Sequence, residues 1–117
     1  MGNHYRYQLV VRGEDGGESE EATAITANYI RGLDDVAEFF IDENGENQQG
    51  EEGDWDFTGV LAEVSEMFPA WRLVLWADDD CANEHQVHYF MNGAYYWDDA
   101  EIVYPEFDPA RLEKGVL

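Results

Sequence analysis

Asn92-Gly93 separates two short apolar runs, HQVHYFM (85–91) and AYYW (94–97), and no other pair in the chain restricts the fold as tightly. The type I′ two-residue hairpin loop needs positive φ at both central positions, which Gly adopts freely and Asn tolerates. The pair therefore predicts two antiparallel strands joined by a tight turn. Two further runs read as strands. HYRYQLVVR (4–12) alternates, with Tyr5, Tyr7, Leu9 and Val11 on one side and Arg6 and Arg12 on the other, which predicts one dry and one wet face. WRLVLW (71–76) sets Trp71, Leu73 and Leu75 against Arg72, Val74 and Trp76, as a strand covered on both faces would. The final EIVYPEFDPARLEKGVL continues briefly as strand and ends irregularly around Pro105 and Pro109.

Helical spacing predicts two helices. In LDDVAEFFIDENG (33–45), Leu33, Val36, Ala37, Phe40 and Ile41 recur at helical intervals and Gly45 follows the last turn. Asp34, Glu38 and Asp42, each four apart, would then line another face. Val60, Leu61, Val64 and Phe68 mark the second helix, with Thr58 as its cap and Pro69 as its stop. ATAITANYI (22–30) reads both ways: Thr23, Ile25, Thr26 and Ile30 favour a strand, whereas Ser19 as cap and Gly32 as stop favour a helix. We take it as a strand pairing back on the first. GEDGGESEE (13–21) and ENQQGEEGD (46–54) are acidic loops. At 117 residues, with six Phe, four Trp and seven Tyr, the chain suits one folded domain spanning 1–117. The expected class is α+β: an antiparallel sheet of four to five strands with two helices on one face, ferredoxin-like with acidic loop insertions.

Three pieces, GNHYRYQLVVRG, EMFPAWRLVLW and YFMNGAYY, carry a resemblance. They are similar to stretches of the small ferredoxin-like proteins carried by phages and plasmids, in which an Asn-His or Asn-Trp start leads into the first strand and a helix ending in Phe-Pro leads into a later one. The likeness covers about half the chain and leaves out the acidic middle, 42–54. It implies a fold and a mobile-element origin, and no catalytic residues.

The chemistry-bearing clusters have plain alternatives. LVLWADDDCANEHQVHYF (73–90) offers Cys81, His85 and His88 with three aspartates, a ligand set that would suit zinc. On a strand, however, His85 and His88 are an odd number apart and point to opposite faces. We read the stretch as a loop between antiparallel strands, with Asp78, Asp79, Asp80 and Glu84 exposed at its tip, and expect no metal. DENGENQQGEEG, from Asp42, has the length of a calcium loop, but Asn47 stands where such a loop needs glycine and Gly53 where it needs a bidentate acid. No phosphate loop, nucleophile elbow or Ser/His/Asp set is present, so we expect neither an enzyme nor a cofactor. Trp71, Tyr89, Phe40 and Phe68 are read as core. Tyr95, Tyr96 and Trp97 cannot all face inward from one strand, so at least one is exposed.

Charge sets the expected partner. Against 27 acids stand 6 bases, a net charge of −21. Self-repulsion of that size costs stability, so the chain either lives in strong salt or uses the field. Repulsion opposes direct binding to DNA, RNA or an anionic membrane, and a basic protein is the natural complement. Even spreading of 21 charges would leave roughly 300 Å² each, against on the order of 100 Å² per charge on duplex DNA, so mimicry of DNA requires clustering. The acids do cluster in sequence, at 14–21, 34–46, 51–56, 78–84 and 98–108. With the resemblance above, the expected role is a cytoplasmic nucleic-acid-mimicking inhibitor acting in the host cell. Its target would be the basic nucleic-acid-binding surface of a bacterial defence complex, CRISPR first and restriction second. Its contacts would be Asp78, Asp79, Asp80, Glu84, Asp34, Glu38, Asp42, Asp98 and Asp99, anchored by Tyr96 or Trp97. The alternative is an ordinary α+β domain of a halophile with an unrelated binding role. A single cysteine excludes an internal disulfide, and no apolar run approaches the roughly 20 residues of a membrane span.

Overall fold

A computed structural model of the chain describes residues 5–47, 53–79 and 84–99. Within them the chain runs β1 (Arg6–Arg12), α1 (Glu20–Leu33), a single helical turn α2 (Ala37–Phe40), α3 (Thr58–Met67), β2 (Arg72–Asp79), β3 (Glu84–Met91) and β4 (Ala94–Asp99). The four strands form one sheet in the order β1-β2-β3-β4, every pair antiparallel. The class is therefore α+β, with a four-stranded antiparallel open sheet among the described residues.

The hairpin is the one that Asn92-Gly93 predicts. Met91 pairs with Ala94, and Asn92 and Gly93 sit at φ 49° and 81°, the backbone of a type I′ turn. The β1 alternation also holds: Tyr7, Leu9 and Val11 are buried beside Leu73, Leu75 and Phe90 on the face that receives the helices. Ala27 and Ile30 of α1, with Leu61 and Val64 of α3, close the core over them. Phe40, Trp55, Phe57 and Tyr7 add an aromatic corner, in which Tyr7 meets Trp55 edge-on at 5.4 Å and Phe40 lies stacked on Trp55 at 6.0 Å.

Residues 22–30 are helix, not strand. Ser19 Oγ accepts from Ala22 N at 3.1 Å and caps the first turn, which also carries Glu20 and Glu21 where the helix dipole favours them. Of the β-branched residues that favour a strand, Thr23 is tied down by a tertiary bond, and Thr26 and Ile30 are buried in the core face of the helix. Thr23 Oγ1 donates to Ser19 O at 2.7 Å and accepts from Val11 N at 2.9 Å, stitching α1 to β1. Gly32 lies inside the helix, and Asp34 ends it by donating its N–H to Ile30 O.

The helix predicted over 33–45 shrinks to one turn. Asp34 Oδ1 accepts from Val36 N at 3.0 Å, and Asp42 Oδ1 accepts from Asn44 N at 2.8 Å and Glu46 N at 3.0 Å. Each aspartate thereby offers nearby backbone N–H groups a partner other than a helical carbonyl. Gly45, at φ 80°, bends the second turn against β1, where Gly45 O accepts from Leu9 N at 2.7 Å. At the third helix, Phe57 rather than Thr58 occupies the capping position, without a side-chain bond.

Candidate partner-binding surface

The sheet has a helix-covered face and an open one, and the register says which side chains stand where. On the open face β1 and β2 place Arg6, Gln8, Val10 and Arg12 beside Asp78, Trp76, Val74 and Arg72, and β3 and β4 continue it with His85, Val87, Tyr89, Tyr96 and Asp98. Three arginines thus share this face with two acids. The acidic residues Glu20, Glu21, Asp35, Glu38, Glu43, Asp54, Asp56 and Glu63, on the helices and the loops between them, are exposed. Arginine concentrates on the open face, but both layers carry both signs: Glu18 pairs with Arg12 at 3.9 Å, and Arg31 lies in the last turn of α1.

On the helical side lies an apolar stripe that the strand reading of 22–30 concealed. Once 20–33 is a helix, Ile25, Tyr29 and Leu33 recur at i, i+4 and i+8 on the flank adjoining the buried Ala22, Thr26 and Ile30. They remain exposed, as do Val36 and Phe39 beyond the helix end, with Phe39 at 65% exposure. Tyr29 leans edge-on against Phe68 at 5.3 Å. Ile25, Asn28, Tyr29, Gly32 and Leu33 line a shallow groove of about 520 Å³. Glu21 stands one turn before Ile25, and Asp34, Asp35 and Glu38 follow Leu33, so acids bound the stripe at both ends. Large exposed apolar side chains framed by polar groups are what a protein interface offers.

The acids singled out from the sequence do not assemble as one surface. Asp78 and Asp79 belong to β2 instead of a loop tip, and Asp79 is only 5% exposed because it faces the helix side of the sheet. Glu84 opens β3, where the Tyr5 hydroxyl donates to its Oε2. That hydrogen bond to Glu84, reinforced by burial, pushes the Tyr5 phenol up to about 12. Asp78 is bonded to His85 Nδ1 at 2.8 Å on the open face. Asp80 and Cys81 fall outside the described residues, as do 48–52 of the acidic middle and everything after Asp99. Asp34, Glu38 and Asp42 do not form a helix-face row. Asp34 Oδ2 accepts from Trp55 Nε1 at 2.9 Å, Asp42 holds its turn, and Glu38 alone of the three points to solvent.

Tyr95, Tyr96 and Trp97 are all exposed, at 38%, 60% and 47%. Tyr96 stacks on Tyr89 at 4.8 Å on the open face, so Tyr89 is not core. Phe68 and Trp71, stacked at 4.7 Å, lie half-buried against the core's margin. Asp98 and Asp99 end β4 in solvent, opposite Val87 and Gln86.

The two strand histidines do point to opposite faces. His88 is buried on the helix side, its Nδ1 2.9 Å from the Tyr95 hydroxyl and its Nε2 3.1 Å from Gln86 Oε1. Phe57 packs against the ring at 4.6 Å and Trp97 stacks on it at 5.7 Å. Burial lowers its pKa to about 4, so the ring is neutral at neutral pH and both nitrogens are engaged within the fold. Burial likewise pushes the Tyr7 phenol up to about 12, against the opposing backbone bond from Trp55 N.

Among the described residues no group of three or more His, Cys, Asp or Glu is placed to hold a metal ion, and no helix is long and apolar enough to cross a membrane. Compared with known proteins, the chain matches no family model, no curated protein and no solved structure.

Proposed function

We propose that this protein is an acidic inhibitor that occupies the basic nucleic-acid-binding surface of a bacterial defence complex, a CRISPR effector first and a restriction enzyme second. The observation that carries the reading is the set of exposed acids Glu21, Asp35 and Glu38 that bounds the exposed Ile25–Tyr29–Leu33 stripe of α1. Such a surface supplies what a basic groove requires: a negative field that speeds encounter and apolar anchors that fix the register after contact. The ferredoxin-like kinship belongs with this proposal. An antiparallel sheet with helices on one face is common ground, while the sequential strand order and the placement of every described helix between β1 and β2 are this chain's own.

The test is competition. Purified protein is added to a purified CRISPR effector complex holding labelled duplex DNA, and release of DNA is followed as salt is raised. Release should occur at low salt, weaken as salt screens the field, and be lost in Glu21→Lys/Glu38→Lys and in Tyr29→Ala. If CRISPR and restriction effectors alike keep their DNA while the inhibitor is folded, the reading is wrong. Circular dichroism at low and molar salt addresses the halophile alternative, which demands unfolding when salt is removed.

A further inference from the structure

The two edges of the sheet are treated differently. Along the β1 edge several outward peptide groups are occupied: Tyr5 O, just before the strand, accepts from Gly53 N at 3.0 Å, Leu9 N donates to Gly45 O at 2.7 Å, and Val11 O accepts from Ser19 N at 2.9 Å. Val11 N is held by Thr23 Oγ1. At the other edge β4 has no strand beyond it among the described residues, and each of its six residues is exposed. An open edge is ordinarily blunted by charged side chains, lysine above all, by proline or by a bulge, and β4 confines its charges to Asp98 and Asp99 at one end. Ala-Tyr-Tyr-Trp-Asp-Asp contains neither lysine nor proline, and its pairing with β3 runs without interruption from Met91↔Ala94 to Gln86↔Asp99.

The hairpin fixes which peptide groups face outward. In a two-residue loop the residues flanking the turn, Met91 and Ala94, form a hydrogen-bonded pair, and such pairs alternate along the ladder. Ala94, Tyr96 and Asp98 therefore direct their N–H and C=O groups to β3, and Tyr95, Trp97 and Asp99 direct theirs away from the sheet. We propose that a second copy of the chain pairs here, β4 against β4 antiparallel about a twofold axis beside Tyr96, giving one continuous eight-stranded sheet. In this register Tyr95 of each copy exchanges both backbone bonds with Trp97 of the other. Tyr96 faces its own counterpart, and Ala94 lies opposite Asp98.

Two features select this occupant and register. Aromatic meets aromatic at every central position, the favourable kind of cross-strand pair. The acids of β4, Asp98 and Asp99, lie at one end of the strand, so antiparallel pairing sets Asp98 four positions, or about 14 Å, from its counterpart along the strands. Parallel pairing, or a shift that centres the axis on Trp97, would bring the carboxylates closer. With each copy at −21, association should strengthen as salt rises, the opposite of the salt dependence expected for capture of a basic partner.

Sedimentation of the full chain from low to molar salt tests this. A dimer should appear as salt is raised, and Trp97→Pro, which removes an outward N–H without touching the β3 ladder, should weaken it about tenfold. Tyr96→Lys lowers the net negative charge, so general electrostatics predicts more association, whereas like charges meeting at the axis predict less. Ala94→Lys, opposite Asp98, should tighten the dimer. In a Cys81→Ser background, Tyr96→Cys should give a disulfide-linked dimer on oxidation, and Trp97→Cys should not. Circular dichroism confirms that each variant is folded. A monomer at every salt concentration, a dimer indifferent to Trp97→Pro, or crosslinking through position 97 instead of 96 would each overturn the proposal.

Discussion

His88 should make the fold acid-sensitive, and the effect has a definite sign and window. The buried ring titrates at about 4, against an ordinary histidine value near 6.5 in the unfolded chain. No charged side chain is hydrogen-bonded to it or stacked on it: its partners are Tyr95, Gln86, Phe57 and Trp97. Below pH 6.5 the unfolded state takes up a proton that the folded state refuses, so stability is intact above about 6.5 and is lost as pH falls towards 4. At 1.36 kcal/mol per pH unit the full separation would cost about 3 kcal/mol. Tyr95 and Trp97 beside the ring are themselves exposed, so solvent relaxation around the charged ring reduces this to roughly 1.5 kcal/mol. Over the lower part of the same window the carboxylates begin to take up protons and self-repulsion falls, an effect of opposite sign. His88→Gln isolates the histidine, because the carboxylates, His4 and His85 are shared by both proteins. Urea unfolding followed by tryptophan fluorescence at several values between about pH 7 and about pH 4.5 gives two curves. Wild type should lose stability relative to the variant by roughly 1 to 1.5 kcal/mol across the range, whatever constant offset the substitution introduces. Parallel curves, or a wild type that gains on the variant as pH falls, would refute the account.

Three further outcomes follow from the turns and the buried bonds, each read from denaturant or thermal unfolding. Gly45→Ala should cost about 2 to 4 kcal/mol, because a Cβ there would lie 2.9 Å from Leu9 O and from Thr23 Cγ2 at φ 80°; Gly16→Ala, at φ 81° in open space, should cost about 1 kcal/mol, and equal losses would contradict the packing argument. Ser65→Ala should cost about 1 to 2 kcal/mol, since the buried Oγ donates to Ala62 O at 2.7 Å and accepts from Gly93 N at 2.8 Å, tying the hairpin turn to α3; amide exchange at Gly93 should accelerate. Asp34→Ala removes the acceptor for both Trp55 Nε1 and Val36 N and should lower stability by about 2 kcal/mol with a shift in tryptophan emission, whereas an unchanged midpoint would mean that these bonds are not formed in solution.

What was legible in the sequence was what is decided locally. The type I′ turn needs only Asn92 and Gly93, and the alternation of Tyr7, Leu9 and Val11 needs only one buried face, so both read correctly. Residues 22–30 read ambiguously because their β-branched residues lean towards strand, whereas the bond that ties the segment to β1 joins Thr23 to Val11, twelve positions away. The 33–45 helix fails for a reason visible in type but not in weight. Asp34 and Asp42 are residues whose carboxylates compete for backbone N–H groups, and at both ends of the segment they win.

The same competition explains why charge was legible and the surface was not. A carboxylate counts as one unit of negative charge in composition whether it faces a partner or holds a turn, and several of the acids first selected are engaged inside the fold. Asp34 holds Trp55, Asp42 holds its loop, Glu84 holds Tyr5, and Asp79 is buried. Substituting these should register as lost stability before it registers as lost affinity. The acids able to meet a partner without that confusion are the exposed ones bounding or near the α1 stripe, Glu21, Asp35, Glu38 and Glu43. Charge reversal at Asp35, Glu38 and Glu43 should leave the stability within about 0.5 kcal/mol of wild type while abolishing competition for a basic target, and reversal at Glu21 should cost about 1 kcal/mol more because that residue faces the α1 dipole. If reversal at Asp34 and Asp42 weakened binding more than reversal at these exposed positions, in proteins of equal stability, then the field of the whole molecule rather than a shaped face would govern recognition.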